Sequence, residues 1–322
     1  MELDNPSFKP AWWLPGPHLQ TLWPTLCRRQ IKHLQIKHER FELPDGDFVD
    51  LAWAGEKGPI VLILHGLEGS IHSSYAQGML YALTKQKLRG VLMHFRGCST
   101  EPNRLPRSYH AGETNDVNIL MHALRKREPH TPFAAIGFSL GGNVLLKWLG
   151  ETGHYNPLQA AIAISVPFEL QKSVNRLKQG FSRLYQWHLL NCLRNRITHQ
   201  FQHPNSLVDI THLQQLNTLE DFDEHVTAPL HGFINAVDYY NKASSRQYLA
   251  KIHVPTLLIQ SKDDPLMTED SMPSTDELST KISLEITEKG GHVGFITGKY
   301  PWHPCYWLEQ RALLFLHRCG IL

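Results

Sequence analysis

Apolar and polar positions fall in alternating blocks along this chain, and the blocks mark out its elements. Residues 36–43 and 48–54 flank Pro44-Asp45-Gly46-Asp47, a turn by composition, so the two segments are expected to pair as an antiparallel hairpin. Further strand candidates follow at 60–64, 91–95, 132–136, 159–165, 256–260 and 282–287. Helical stretches fall between them at 74–86, 113–127 and 142–150, and a last one at 306–317 closes the chain. Apolar runs alternating with helices imply an α/β fold, an eight-stranded and mostly parallel sheet with helices on both faces.

Two segments break this rhythm. Residues 1–30 read as an irregular N-terminal extension, because Pro10, Pro15, Pro17 and Pro24 interrupt helices while Trp12, Trp13 and Trp23 need burial or an interface. From Val166 to about Lys242 the alternation lapses, which places a helical cap at 167–242, inserted after the sixth strand of a single domain spanning 1–322. Between Leu170 and Val208 this cap carries Lys172, Arg176, Lys178, Arg183, Arg194 and Arg196 and no acid. Leu177, Phe181, Leu184, Tyr185 and Leu189 add an apolar stripe at roughly helical spacing. Such a stripe either packs on the core or, in a basic amphipathic cap, lies against anionic lipid headgroups. Both readings stay open at this level.

Composition narrows the class. A chain of 322 residues, 42% hydrophobic and 19% charged, can bury a sizeable core and has the balance of a soluble globular protein. A formal net charge of +2 gives no overall attraction to nucleic acid. Five scattered cysteines, Cys27, Cys98, Cys192, Cys305 and Cys319, include no C-x-x-C pair and read as reduced thiols. The first ten residues hold two acids, two prolines and no apolar core of a signal, and no window is apolar enough to span a bilayer. A cytoplasmic location is the expectation. Twenty histidines are many, and they are expected to make the chain more cationic below about pH 6.5.

Chemistry concentrates at Gly137-Phe138-Ser139-Leu140-Gly141, which sits between a strand candidate and a helix candidate. Strand, G-x-S-x-G, helix is the nucleophile elbow of the α/β-hydrolases, in which a strained turn lifts the serine hydroxyl above the sheet. A Cβ at 137 or 141 is expected to collide with the neighbouring strand or helix. The bare pattern arises by chance at roughly one position in three thousand. Its companions, however, occur in the order this fold requires. His65-Gly66-Leu67 follows an early strand, Ser261-Lys262-Asp263-Asp264-Pro265 ends a later one, and Gly290-Gly291-His292 follows the last.

A serine hydroxyl is too weak an acid to attack a carbonyl unaided, so it needs a base in hydrogen-bond reach and an orienting partner for that base. His292 fits the base and Asp264 the partner. The acid is expected three residues beyond a small residue, here Ser261, which selects Asp264 over Asp263, and Pro265 biases Asp264 towards extended backbone. Asp263 is left to stabilise the turn or pair with a base nearby. The oxyanion donors are expected to be the backbone N–H groups of Leu67 and Leu140. No cofactor or metal is called for: His199 and His203 stand four apart, but Gln200 replaces the glutamate of H-E-x-x-H, Pro204 would end the helix, and no phosphate loop occurs.

These residues resemble the YheT-like group of α/β-hydrolases, which also includes membrane-associated lipases of animals. The resemblance spans nearly the whole chain. It runs through the stretch from Pro15 to Pro24, His65-Gly66-Leu67-Glu68-Gly69, Arg96-Gly97-Cys98-Ser99 and Arg107-Ser108-Tyr109-His110-Ala111-Gly112-Glu113-Thr114. It continues through Asp223, Gly232, Phe233, Asp238, Tyr239, Tyr240, Ser244, Ile252, Pro255 and Asp263-Asp264. It implies a Ser139, Asp264, His292 triad and carboxylic-ester hydrolysis, with a small ester or lipid as substrate. It also marks Arg96, His110, Glu113 and Asp116 as characteristic, and Arg96 is placed to pair with Glu113 or Asp116 at a helix start. The expected activity is that of a serine esterase on short- to medium-chain esters or acylglycerols. The alternatives are a thioesterase or acyltransferase with the same triad, or a ligand-binding protein that does no chemistry. Oligomeric state is not legible.

Overall fold

The computed structural model describes residues 7–28, 31, 33–201 and 210–322. Eight strands form one sheet: β1 (Lys37–Glu42), β2 (Phe48–Ala54), β3 (Ile60–Leu64), β4 (Arg89–Met93), β5 (Phe133–Phe138), β6 (Ala160–Ile164), β7 (Thr256–Ser261) and β8 (Ile282–Thr287). Their order across the sheet is β1-β2-β4-β3-β5-β6-β7-β8. The expected hairpin forms, with Lys37 opposite Trp53 and Glu42 opposite Phe48. β2 is antiparallel to β1 and β4, and the remaining neighbours are parallel. The fourth strand starts two residues earlier than its apolar run, because Arg89 pairs with Ile60 and Met93 already meets the end of β3 at Leu64.

Successive side chains of a strand point to opposite faces, and both faces are dry. Ile60, Leu62 and Leu64 belong to one apolar cluster, Val61 and Ile63 to another. The first cluster is covered by α3 (Asn115–Arg127) and α4 (Leu140–Thr152), the second by α2 (Ser74–Lys85) and α10 (Trp307–Arg318). This burial on both sides is why the central strands read as unbroken apolar runs.

The N-terminal extension differs from its expected irregularity: Pro17–Cys27 form a helix, α1. Pro17 occupies the first turn, where a missing N–H costs nothing. The helix is held by tertiary bonds that override the propensity of Pro24. Gln20 accepts from the Ile296 N–H at 2.7 Å and donates to the Ile296 carbonyl at 3.1 Å. Trp13 packs edge-on against Trp23 at 4.8 Å. Ile296 lies in a small two-stranded pair of β9 (Ile296–Thr297) and β10 (Cys305–Tyr306).

Between β6 and β7 lie α5 (Leu170–Leu177), α6 (Ser182–Gln200), α7 (Leu219–Phe222), α8 (Ala228–Leu230) and α9 (Ala236–Ala243). Leu193, Ile197, Phe222, Val226 and Tyr239 from this region share an apolar cluster with Leu62 and Val144, so the core runs from the sheet up into the helices above it. The expected apolar stripe is divided between α5 and α6. Leu177 is buried, whereas Phe181 and Leu184 are about half exposed, at 50% and 49%. The basic run is matched by acids and carbonyls from outside it: Lys172 pairs with Glu169 and Asp270, each at 3.0 Å, Lys178 with Glu220, and Arg194 donates to the Leu216 carbonyl at 2.6 Å.

Arg96 is a buried scaffold residue. It holds Asp116 through two bonds of 2.6 and 2.7 Å and reaches Asp47 at 3.1 Å and Asp45 at 2.8 Å, which ties β4 to the start of α3 and the β1–β2 turn. Of the two partners expected for it, Asp116 is the one engaged, and Glu113 pairs with Arg107 at 2.6 Å.

Candidate active site

The parallel strands deliver their C-terminal ends to one edge of the sheet, and Leu67, Ser139, Asp264 and His292 all follow such ends. Ser139 lies between β5 and α4 with φ 52° and ψ −121°, a conformation that a residue with a Cβ rarely adopts. The tightness of this turn explains its glycines. A Cβ on Gly137 would stand 2.5 Å from the Gly141 carbonyl oxygen, and one on Gly141 would stand 2.4 Å from the carbonyl oxygens of Leu64 and His65. Helix and strand therefore touch backbone to backbone beneath the serine.

The structure brings the three side chains named from the sequence together. Ser139 Oγ lies 2.9 Å from His292 Nε2, and His292 Nδ1 lies 2.8 Å from Asp264 Oδ2. An ionised carboxylate only accepts, so Nδ1 carries the proton and Nε2 is free to accept from the serine hydroxyl. Asp264 is buried, and its other oxygen accepts the Leu266 N–H at 2.8 Å, which fixes the carboxylate plane. Asp263 points elsewhere and accepts the Gly291 N–H at 2.9 Å. Ser261 donates to the Gly291 carbonyl at 2.8 Å, so the strand that carries the acid also clamps the turn that carries the histidine.

Two residues that the sequence reading passed over complete the histidine loop. The His292 N–H donates to Thr21 Oγ1 at 2.9 Å, and the Val293 N–H donates to Ser165 Oγ at 3.0 Å. Thr21 lies on α1, some 270 positions away in the chain, and no local pattern ties it to His292. Its one trace in the sequence is membership of the Pro15–Pro24 stretch, where no role was legible.

Leu140 begins α4, and the first N–H of a helix has no intrahelical acceptor. Leu67 follows β3 in a loop built around His65. That imidazole is wholly buried, and desolvation pushes it down to about 3, so it stays neutral. Its Nδ1–H donates to the Gly66 carbonyl at 2.7 Å and its Nε2 accepts the Phe95 N–H at 3.1 Å. His65 therefore shapes the loop. The N–H groups on either side of Leu67 are satisfied by tyrosine hydroxyls, that of Gly66 by Tyr75 and that of Glu68 by Tyr109, each at 2.8 Å. Among the described residues no acceptor takes the Leu67 N–H.

Ser139 and Leu140 open onto a cavity with about 120 Å³ of free volume beneath the helices that follow β6. Its wall is mostly apolar and includes Leu67, Val174, Leu193, Phe222 and Met267. Its polar members include His231, Asp223 and His110. Burial pushes both histidines down to about 3 and Asp223 up to about 6, where it accepts from Thr227 and Tyr240 at 2.7 and 2.8 Å. His199 lies on α6, and His203 lies outside the described residues.

Known proteins resemble this chain over most of its length. The family model of the alpha/beta hydrolase fold matches residues 59–299. Over 315 residues the chain is 43% identical to the candidate esterase YheT of Escherichia coli (strain K12), a match covering 96% of this chain and 92% of that protein. It is 33% identical over 247 residues to a monoacylglycerol lipase of Saccharomyces cerevisiae, covering 74% of this chain and 55% of the lipase. Among solved structures, the Pyrococcus furiosus esterase Pf2001 superposes with a TM-score of 0.59 at 17% identity, over 88% of this chain and 93% of that one, a likeness of fold.

Proposed function

The chain belongs to the alpha/beta hydrolase fold family, and from that premise we propose that it is a serine esterase working through an acyl-enzyme on Ser139. One observation carries the reading: an unbroken hydrogen-bonded series from Asp264 through His292 to Ser139, with spacings of 2.8 and 2.9 Å, at the wall of an apolar cavity. Ser139 Oγ attacks the ester carbonyl while His292 Nε2 takes the hydroxyl proton. Asp264 holds the imidazole tautomer and offsets the positive charge that develops on the ring. The tetrahedral oxyanion is received by the N–H groups of Leu67 and Leu140, each such donor being worth about 3 kcal/mol in the transition state. His292 then returns the proton to the leaving alcohol. In the second half-reaction it takes a proton from the water that attacks the acyl-enzyme and returns it to Ser139 Oγ as the carbon–oxygen bond to the serine breaks, and the carboxylic acid departs.

The acyl chain is assigned to the apolar cavity. Its 120 Å³ is somewhat less than an engineered cavity of about 150 Å³ that admits benzene, which favours short acyl chains over long ones. Esters or monoacylglycerols of such short chains are the proposed substrates, in keeping with the names of the two relatives. The test is a series of p-nitrophenyl esters from C2 to C16 together with a fluorophosphonate probe, on wild type and Ser139→Ala. Turnover highest among the shorter chains, with labelling and turnover both lost in Ser139→Ala, is the expected result. A wild type that neither turns over any ester nor takes the label overturns the reading.

A further inference from the structure

We infer that Glu68 is a positioning residue for the Leu67 N–H, and that Arg196, reaching down from α6, is its anchor. The inference rests on ester hydrolysis at Ser139 as proposed above, and it gives a role to residues that the reaction leaves unused. Leu67 is the donor whose place is hardest to fix, because it sits on a loop, whereas Leu140 is held by a helix. The loop is tied down at Glu68. The Glu68 N–H donates to the Tyr109 hydroxyl at 2.8 Å, and that hydroxyl donates back to Glu68 Oε1 at 2.8 Å. The same carboxylate oxygen accepts from Arg196 Nε at 2.8 Å. Arg196 also donates to Ser108 Oγ and lays its guanidinium 4.9 Å from the centroid of the Tyr109 ring.

Two features separate this network from an ordinary surface ion pair. Its charged side chains are shielded, Arg196 being 9% and Glu68 11% exposed, so each depends on the other for compensation. The Glu68 backbone is in the left-handed region, at φ 54°. For a residue with a Cβ that conformation costs on the order of 1–3 kcal/mol and persists only where the surroundings impose it. The backbone it imposes is that of the peptide next to the Leu67 N–H. Glu68 itself is absent from the described cavity wall, so it acts through the loop and not on the substrate. Arg196 belongs to the helices above the cavity, and the second oxyanion donor is therefore held in place by the element that roofs the acyl chain.

The experiment compares Glu68→Gln, Arg196→Met and the double variant with wild type on p-nitrophenyl butyrate. Inhibition is measured with a trifluoromethyl ketone, which forms an oxyanion adduct on Ser139, and with the matching ether, which fills the cavity without one. Glu68→Gln is expected to lower kcat roughly 10- to 100-fold, the scale of a misplaced catalytic group. Its affinity for the ketone should fall by the same factor while that for the ether holds. The double variant leaves no charge unpaired, so it is expected to melt near the wild-type temperature and still turn over slowly. Wild-type kcat in Glu68→Gln, or recovery of kcat in the double variant, overturns the positioning role, the latter because the pair would then serve only to neutralise itself. Parallel loss of ketone and ether affinity overturns it too, since the cavity and not the donor would have changed. A Ser139→Ala control keeps the two conclusions apart: if it stays active, the esterase reading itself falls.

Discussion

Two adjacent aspartates at the end of β7 show how a single position divides roles. Asp264 reaches His292 Nδ1 at 2.8 Å, and Asp263 reaches the Gly291 N–H at 2.9 Å. If the proposed triad is correct, Asp264→Asn presents an amide where a carboxylate fixed the tautomer, and kcat should fall about 10⁴-fold. Asp263→Asn retains a side-chain carbonyl for Gly291, and its kcat should stay within about ten-fold of wild type. Steady-state kinetics on one ester decides between them, and the opposite ranking would exchange the two assignments. The sequence narrowed the choice to this pair through the strand end and Pro265. It could rank them only by local cues, the spacing from Ser261 and the backbone bias of Pro265, because which carboxylate faces the imidazole depends on how the turns after β7 and β8 face each other.

At the scale of elements, α1 is the least expected contributor. It supports the histidine loop through Thr21, whose Oγ1 accepts from the His292 N–H and donates to the Pro17 carbonyl at 2.7 Å. Thr21→Val keeps the shape and removes the acceptor, leaving a partly buried N–H unsatisfied at a cost of about 1–3 kcal/mol. The expected outcome is a lower melting temperature together with a fall in kcat of roughly ten-fold, from a base held less firmly. A variant with wild-type melting and kinetics would show that the loop is fixed without α1. The strands and the helices beside them were legible because each carries its own apolar period. The helix α1 was not, since its prolines argue against it and its stability comes from Gln20 meeting Ile296 far along the chain and from Trp23 packing on Trp13 in the irregular stretch before it.

For the molecule as a whole, burial changes what the many histidines do. Desolvation holds His65, His110 and His231 down to about 3, and lowers His18 and His94 as well. In the unfolded chain these groups protonate near pH 6.5. Between about pH 3 and 6.5 the unfolded state thus binds more protons, and stability falls as the pH falls. Asp223, pushed up to about 6 by burial, works in the opposite sense: between about pH 4 and 6 the folded state holds its proton, so its contribution falls as the pH rises. Three strongly shifted histidines outweigh one aspartate. The melting temperature should therefore drop steadily from pH 6.5 to 4.5, each net proton contributing up to about 1.4 kcal/mol per pH unit. Circular dichroism melts across that range provide the check, and a flat or rising profile would contradict it. The sequence alone suggested a chain that becomes more cationic below about pH 6.5, but burial keeps these histidines neutral while the fold survives.

What the sequence determined by itself is whatever rests on local order: the alternation of strands and helices, the glycine-flanked serine, and an acid and a histidine each placed just past a strand. Such features are written in a few neighbouring residues, because backbone sterics and side-chain period act over short spans. Tertiary structure alone decided which groups support them, namely Thr21 and Ser165 under the histidine loop and Arg196 against Glu68. Those partners lie 271, 128 and 128 positions apart in the chain. A hydrogen bond requires only nearness in space, and nearness between distant segments is set when the sheet and its covering helices pack, not by any pattern along the chain.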